Sequence, residues 1–316
     1  MRRAEAPIVS TLSAMRIVSL VPAGTEMVAA LGCASSLVAV THDCDFPPEV
    51  RTLPRVTRTT IPAGASSRAI DAAVRDAASR GETTFHLDAA ALRDARPDVI
   101  VGQTLCAVCA VTFDALPVSL RERIVPLAAE TIDGMFADVA RVTGALDVAT
   151  RGTRLVATLR SRMEAVRTAV EGRPRPRVAC LEWLDPMFNG GHWVPEQVAF
   201  AGGDDVLGRS GQRSREVSVD ELHATDPDAL ILMPCGFHEP RAAVEADAFV
   251  ARRDVARLRA VRERRVHVVD GAAHFSRPGP RLIDGVEVLA ALLHPERDAR
   301  ASGSSRRLAA YTPRAN

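Results

Sequence analysis

The 316 residues carry a formal net charge of +1, with 47% apolar and 25% charged side chains. That is an ordinary globular composition, which excludes wholesale disorder, and a chain of this length forms one or two domains that bury roughly three quarters of the unfolded surface. The cations other than histidine are all arginine and are spread along the chain, so nothing resembles a nucleic-acid footprint, and no run approaches the ~20 apolar residues that a bilayer span requires.

Residues 1–15 are polar and read as a loose tail. From residue 16 onward, short apolar runs with β character alternate with helical patterns. A strand over 16–21 is closed by Pro22, and a helix over 25–31 stops at Gly32. A second strand covers 37–41. After a proline-rich passage come a helix over 67–80, a short helix near 88–95, a strand at 98–102 and a fourth strand at 124–127. This βαβ rhythm predicts a parallel sheet for an N-terminal lobe spanning 16–131.

From 132 to 170 the pattern is helical without proline, with Phe136, Val139, Val142 and Leu146 at three- and four-residue steps. A single helix of roughly 39 residues would span on the order of 58 Å and act as a strut over 132–172. The segment Gly172-Arg173-Pro174-Arg175-Pro176 ends it. A second βαβ set then predicts a C-terminal lobe over 173–296: strands at 177–181, 229–233 and 266–269, and helices at 195–201, 219–224, 242–260 and 280–293. Residues 297–316 read as a second loose tail. The expected fold is α/β: two small doubly wound lobes with parallel sheets, joined by one long helix.

Chemistry-bearing side chains gather where the predicted strands end, which is where open α/β sheets bind ligands. Strand 37–41 runs into His42, Asp43 and Cys44; strand 98–102 into Gln103, Cys106 and Cys109. Cys180, Glu182 and Trp183 follow the start of the strand at 177, with Phe188, His192 and Trp193 close behind. Strand 229–233 leads to Cys235, Phe237 and His238, and strand 266–269 to His274, Phe275 and Arg277. The C-x-x-C pair Cys106–Cys109 can hold a metal, carry a redox disulfide or be incidental. With Cys44 and His42 as neighbours by topology, it forms one candidate metal set: His42, Cys44, Cys106 and Cys109, for zinc or an iron–sulfur cluster. The loop 183–193, with two tryptophans, a phenylalanine and the Gly190-Gly191 pair, suits a flat apolar ligand, with glycine permitting close approach and His192 able to coordinate a metal. Arg277 and Arg281 have the fork geometry that grips carboxylate or phosphate. No phosphate loop, dinucleotide fingerprint, nucleophile elbow or HExxH helix occurs, so catalysis has little support.

The stretch Arg16-Ile17-Val18-Ser19-Leu20-Val21-Pro22-Ala23-Gly24-Thr25-Glu26, followed by Ala30-Leu31-Gly32, resembles the opening of the ABC-transporter substrate-binding proteins for cobalamin, haem and ferric siderophores. Within that family the chain is most similar to the cobalamin-binding branch, through His42-Asp43-Cys44-Asp45-Phe46-Pro47-Pro48, Gln103-Thr104-Leu105-Cys106-Ala107-Val108-Cys109, Glu182-Trp183-Leu184-Asp185-Pro186 and Gly191-His192-Trp193-Val194-Pro195-Glu196. The resemblance covers about 16–295. It implies two α/β lobes bridged by a helix, a non-catalytic protein, cobalamin or a related corrinoid held in an interlobe cleft, and an ABC-transporter permease as partner. The expected ligand-binding set is Pro22, Thr25, His42, Gln103, Trp183, Phe188, His192, Trp193, Phe237, Phe275 and Arg277. The rival expectation is a Cys/His metalloprotein with a redox or enzymatic role. The first fifteen residues hold two arginines but no apolar signal-peptide core, which reads as cytoplasmic; a start elsewhere, Met15 included, would make the protein periplasmic or extracellular.

Overall fold

The computed structural model describes residues 15–103 and 116–295. Both expected tails, Met15 apart, lie outside the described residues, as do Cys106 and Cys109. The chain divides into two compact units. One comprises residues 1–60, 85–127 and 138–153; the other comprises 61–84, 128–137 and 154–316.

The first unit is built on a parallel sheet of β1 (Ile17–Ser19), β2 (Leu37–Val40), β5 (Val99–Gln103) and β6 (Ile124–Leu127), in the order β2-β1-β5-β6. Ile17, Val18 and Ser19 pair with Val99, Ile100 and Val101 on one side and with β2 on the other. All three residues of β1 are buried, as expected for a strand covered on both faces. Helix α1 (Pro22–Ala30) begins on Pro22, where the missing N–H costs nothing and the fixed φ suits a helix start. Pro22 therefore opens the helix as well as closing the strand. Gly24 lets α1 lie against β5: a Cβ there would sit 2.6 Å from Val101 Cγ1 and 2.9 Å from Ser19 Oγ. A two-stranded antiparallel ribbon, β3 (Thr57–Thr59) with β4 (Phe85–Leu87), completes this unit together with α3 (Ala89–Asp94), whose N-terminus Asp88 caps through Ala90 and Ala91. Three-residue strands leave too little alternation to be read from sequence. Under the sheet, Val18, Leu20, Ala39, Val56, Leu92, Ile100, Leu116 and Leu120 form the core.

Between β3 and β4 the chain contributes α2 (Ser67–Ser79) to the second unit. Arg68 grips Asp185 with two hydrogen bonds of 2.9 Å, Arg75 reaches Glu216, Ser67 Oγ donates to Glu245, and Arg241 donates to the Ala65 carbonyl.

The helical stretch from 132 is not one rod. It is α4 (Ile132–Ala145) and α5 (Ala149–Val170), separated at Asp147. Asp147 takes the left-handed conformation, φ 54°, while Val148 N–H donates to the Thr143 carbonyl and Asp147 N–H to Gly144. That is the 6→1, 5→2 pattern of a helix C-terminus, here with aspartate in place of glycine, and burial of Leu146 and Val148 fixes the bend. Lacking a glycine or proline at the break, the sequence reads as continuous.

The second unit holds β7 (Arg177–Leu184), β8 (Met187–Asn189), β9 (Asp204–Asp205), β10 (Ala229–Leu232) and β11 (Val266–Val268), ordered β11-β10-β7-β8 with β9 also on β7. Strands β7, β10 and β11 are parallel, and β8 returns antiparallel. Around them lie α6 (Val194–Phe200), α7 (Val219–Thr225), α8 (Glu239–Val250), α9 (Arg259–Arg262), α10 (Gly271–His274) and α11 (Leu282–Leu293). The helix expected over 242–260 ends at Val250: Asp254 turns its carboxylate onto the Val255 N–H and onto Arg252, the local competition by which aspartate breaks helices. The core is built from Leu181, Leu184, Leu222, Leu230, Leu232 and Phe249 with their neighbours, each such burial contributing roughly 1.5–3 kcal/mol.

Gly24→Ala drives a methyl into β5 and lowers stability by about 1–3 kcal/mol. Gly144→Ala, within α4 and with open space where its Cβ would fall, raises it by about 0.5–1 kcal/mol. Denaturant unfolding of the two variants checks both signs.

Candidate ligand-binding site

In the first unit β1, β2 and β5 are parallel, and the order β2-β1-β5 puts a change of direction in the strand order between β1 and β5, the kind of position at which open sheets bind ligands. His42 follows β2 and is half-buried. Its Nδ1 lies 2.7 Å from Thr57 Oγ1, which also lies 2.7 Å from Thr41 Oγ1 and accepts the His42 N–H at 3.0 Å. The ring rests 5.3 Å from that of Phe85. Its Nε2 is buried without a hydrogen-bond partner, 3.5 Å from an Asp43 oxygen. Burial lowers the imidazole pKa, against an upward pull from Asp43 and with a further push down from Arg55. Arg55 fastens the loop by donating to the carbonyls of Thr41 and Cys44 at 2.8 and 2.9 Å. Neither Thr57 nor Arg55 stood out in the sequence, because both act across 11–15 residues from a strand too short to recognise.

Thr25 is fully buried in α1, with its hydroxyl 2.9 Å from Cys44 Sγ. Cys44 is itself buried, so this pair faces inward. Gln103 is the half-buried last residue of β5, paired with Leu127. Of the candidate metal set, His42 and Cys44 are thus placed, and Cys106 and Cys109 fall outside the described residues. Among the described residues no three His, Cys, Asp or Glu side chains are grouped to hold a metal ion.

In the second unit, Trp183 near the end of β7 and Phe188 on β8 are register partners across the hairpin, both half-buried. The Trp183 ring lies 5.3 Å from that of Phe237, and the Arg241 guanidinium stands 3.9 Å from the other aromatic centroid, Phe237's. The two rings are tilted by 57°, and with Arg241 over Phe237 they make an amphipathic platform. The Trp183 Nε1–H is buried and has no hydrogen-bond partner in the protein. Arg75, from α2, lies 6.0 Å from the Phe188 ring.

Trp193 and Phe275 behave differently. Both are buried, and the Trp193 indole N–H donates to the Phe275 carbonyl at 2.7 Å. They pack the start of α6 against the residues that follow α10, where Trp193 is only 5% exposed. His192 stacks on Trp193 with ring centroids 5.5 Å apart, and its Nδ1 is buried and unpartnered. Its φ of 53° is unusual for a non-glycine residue. It is held by its N–H to the Gln212 carbonyl and by the Gly211 N–H to its own carbonyl. Burial lowers the His192 pKa, opposed by Glu130. Gly191 is needed for a close approach, but to protein: a Cβ there would lie 2.3 Å from the Ser214 nitrogen. Arg277 is half-buried in the loop after β11, and Gly279 N–H donates to its carbonyl.

Of the remaining cysteines, Cys180 lies inside β7 and is wholly buried, so burial pushes its thiol pKa well up and it cannot serve an edge site. Cys235 is half-buried in the turn after β10. Beside Cys180 is Asp205, on β9. One carboxylate oxygen accepts from the Leu207 and Gly208 N–H groups at 2.9 and 2.8 Å, and the other is buried without a partner.

The periplasmic binding protein family profile matches residues 17–273, and the chain belongs to this family. Among solved structures, it is similar to the periplasmic heme-binding protein RhuT from Roseiflexus sp. RS-1, at 21% identity and TM-score 0.66 over 90% of this chain and 99% of that one. It is also similar to the periplasmic vitamin B12 binding protein BtuF of Vibrio cholerae (22%, 0.63, over 90% and 97%) and to a periplasmic heme-binding protein from Pseudomonas aeruginosa (22%, 0.63, over 89% and 93%). No curated protein sequence matches it. At these identities the likeness carries the fold: two α/β lobes with parallel sheets, as expected from the sequence.

Burial raises the Asp205 pKa from 3.8 to about 6. A carboxyl whose folded pKa exceeds its unfolded one stabilises below the unfolded value and loses that contribution as pH rises through the folded one. Stability therefore falls by roughly 3 kcal/mol between about pH 4 and pH 6 on account of this group. Asp205→Asn removes that slope and leaves the variant more stable than the parent at pH 7, as read from thermal unfolding across pH.

Proposed function

We propose that this protein is the ligand-binding component of an ABC transporter for a flat metal chelate, with cobalamin or a related corrinoid as first candidate. The observation that carries the reading is the Trp183–Phe237–Arg241 cluster, in which Trp183 is half-buried and its indole N–H is buried with no partner in the protein. A buried donor left unpaired costs roughly 1–3 kcal/mol, a deficit that an arriving acceptor removes. The amide fringe of a corrin, or the carboxylates of a haem, would supply that acceptor while the ring covers Trp183 and Phe188. Two half-buried imidazoles, His192 and His42, each keep a ring nitrogen without a hydrogen bond and are the candidates for an axial ligand. Solved relatives described as binding vitamin B12 and heme are consistent with this ligand class.

In this reading the protein binds and releases without catalysis, and a permease is its partner. Membership of a family of periplasmic binding proteins favours an exported setting over the cytoplasmic one. No helix among the described residues is long and apolar enough to cross a membrane.

Titration with aquocobalamin and separately with haemin, followed by absorbance and tryptophan fluorescence, tests the proposal. Binding of one of them is expected to quench Trp183 and to weaken about tenfold in Trp183→Ala, ~1.4 kcal/mol. His192→Ala, or His42→Ala if that ring ligates, should abolish the spectral change of axial coordination. Failure of both ligands to bind more tightly than about 1 mM, ~4 kcal/mol, would sink the reading.

A further inference from the structure

The second unit contains a cavity of about 170 Å³ that the transport reading does not use. Its wall includes His267 on β11, Asp270 and His274 at the two ends of α10, Glu239 at the start of α8, and Val288 and Leu292 on α11. The Nδ1 atoms of both His267 and His274 are buried and have no hydrogen-bond partner in the protein. Buried polar atoms are ordinarily bonded, so two left unpaired in residues that line one cavity mark a place where the protein's own hydrogen bonding is incomplete. The wall is held in place. Asp270 accepts from His238 Nδ1 at 2.9 Å and from the Ala273 N–H at 2.8 Å, and the His274 carbonyl is tied to Gln197 Nε2 at 3.0 Å.

The chemistry of the lining selects the ligand. Two carboxylates and two imidazoles offer acceptors, aliphatic side chains supply the rest, and no arginine is among the described residues that line the cavity. Burial lowers the pKa of both imidazoles, so each is a neutral ring near pH 7. The acidic groups are not grouped closely enough with the histidines to form a three-donor metal centre, so the acceptors suit a molecule larger than an ion. A volume close to that of cavities known to admit benzene has room for about six non-hydrogen atoms. Glu239 is exposed, which gives the cavity an acidic rim.

We propose that this cavity is a second binding site, for a small organic ammonium ion with a short aliphatic body. The ammonium group donates to the Glu239 carboxylate at the rim, and the alkyl chain lies on Val288 and Leu292 beside the two imidazole rings. The site is independent of the strand-end platform and of the chelate reading.

The probe is n-butylammonium, with n-butanol and butyrate as uncharged and anionic counterparts of the same length. Titration is followed by the ring C–H NMR signals of His267 and His274 and by calorimetry. Butylammonium is expected to shift both sets of signals saturably, with butanol at least about tenfold weaker and butyrate without effect. Leu292→Trp, which fills the cavity, should abolish the response. Glu239→Gln, an exposed change that leaves packing alone, should weaken it about tenfold while leaving the aquocobalamin and haemin titrations as they are. The proposal is overturned if butylammonium binds no more tightly than about 10 mM, if butanol or butyrate binds equally well, or if Glu239→Gln changes nothing. Weak binding or a silent Glu239→Gln means that the cavity is a solvent pocket, and equal binding of butanol or butyrate means that it takes short alkyl chains without reading their charge.

Discussion

A parallel strand covered on both faces accepts a polar side chain only where the protein itself satisfies it, as Ser19 Oγ is by donating to the Val21 carbonyl at 2.8 Å, and this constraint sets where the chemistry of the protein lies. Every residue of β1 and of β10 is buried, and the ladders that join β1 to β5 and β10 to β7 continue that apolar interior. Polar and aromatic groups are displaced to the turns where strands stop. His42 follows β2, Gln103 closes β5, Trp183 lies near the end of β7, and Cys235 follows β10. His267 is the instructive exception. It sits within a strand, but β11 is the edge of its sheet, where one side of the ladder is unpaired and side chains can line a cavity.

Within the second unit the two tryptophans differ in whether the protein satisfies the indole N–H. They lie ten residues apart in one loop-rich stretch and are indistinguishable by residue type. Trp193 is buried with its N–H on the Phe275 carbonyl, which satisfies the donor and fixes the ring. Trp183 is half-buried against Phe237, with its donor unsatisfied. Since an unpaired buried donor is costly, its retention beside an aromatic platform favours a partner that comes and goes. The same reasoning separates the glycines. Gly191 is demanded by the backbone at Ser214, and no ligand is needed to explain it.

What was legible in the sequence follows the same physics. The strands at 17, 37, 99, 124, 177, 229 and 266 were readable because continuous apolar runs bounded by turn residues are what two-sided burial requires. The ribbon of β3 and β4 was not, being three residues a side, and its loss hid Thr57, the residue that orients His42. The break at Asp147 was hidden because aspartate occupies a left-handed position usually marked by glycine. Strand-end histidines and aromatics could be named from position alone, whereas Arg241 and Arg55 could not. Their roles depend on which side chain or loop the fold brings near them, and no spacing encodes that. The family was recoverable because its residues fall in the turns after the strands.

The ionisation of the edge residues bears on the ligand as well. His42 and His192 are both driven toward the neutral form, in each case chiefly by burial. Arg241, the cation nearest the aromatic platform, is already committed to the Phe237 face and to the Ala65 carbonyl. A strongly anionic chelate would need bidentate arginines or protonated imidazoles to replace its lost hydration. Neutral imidazoles and an indole donor instead suit a ligand that presents amides around an apolar ring, because dipoles can be satisfied there without burying net charge. The same neutrality leaves a histidine nitrogen with a free lone pair, the form in which it can bind a metal. In the reading proposed above, burial that would be a liability for a charged site leaves these imidazoles in the form that axial coordination needs.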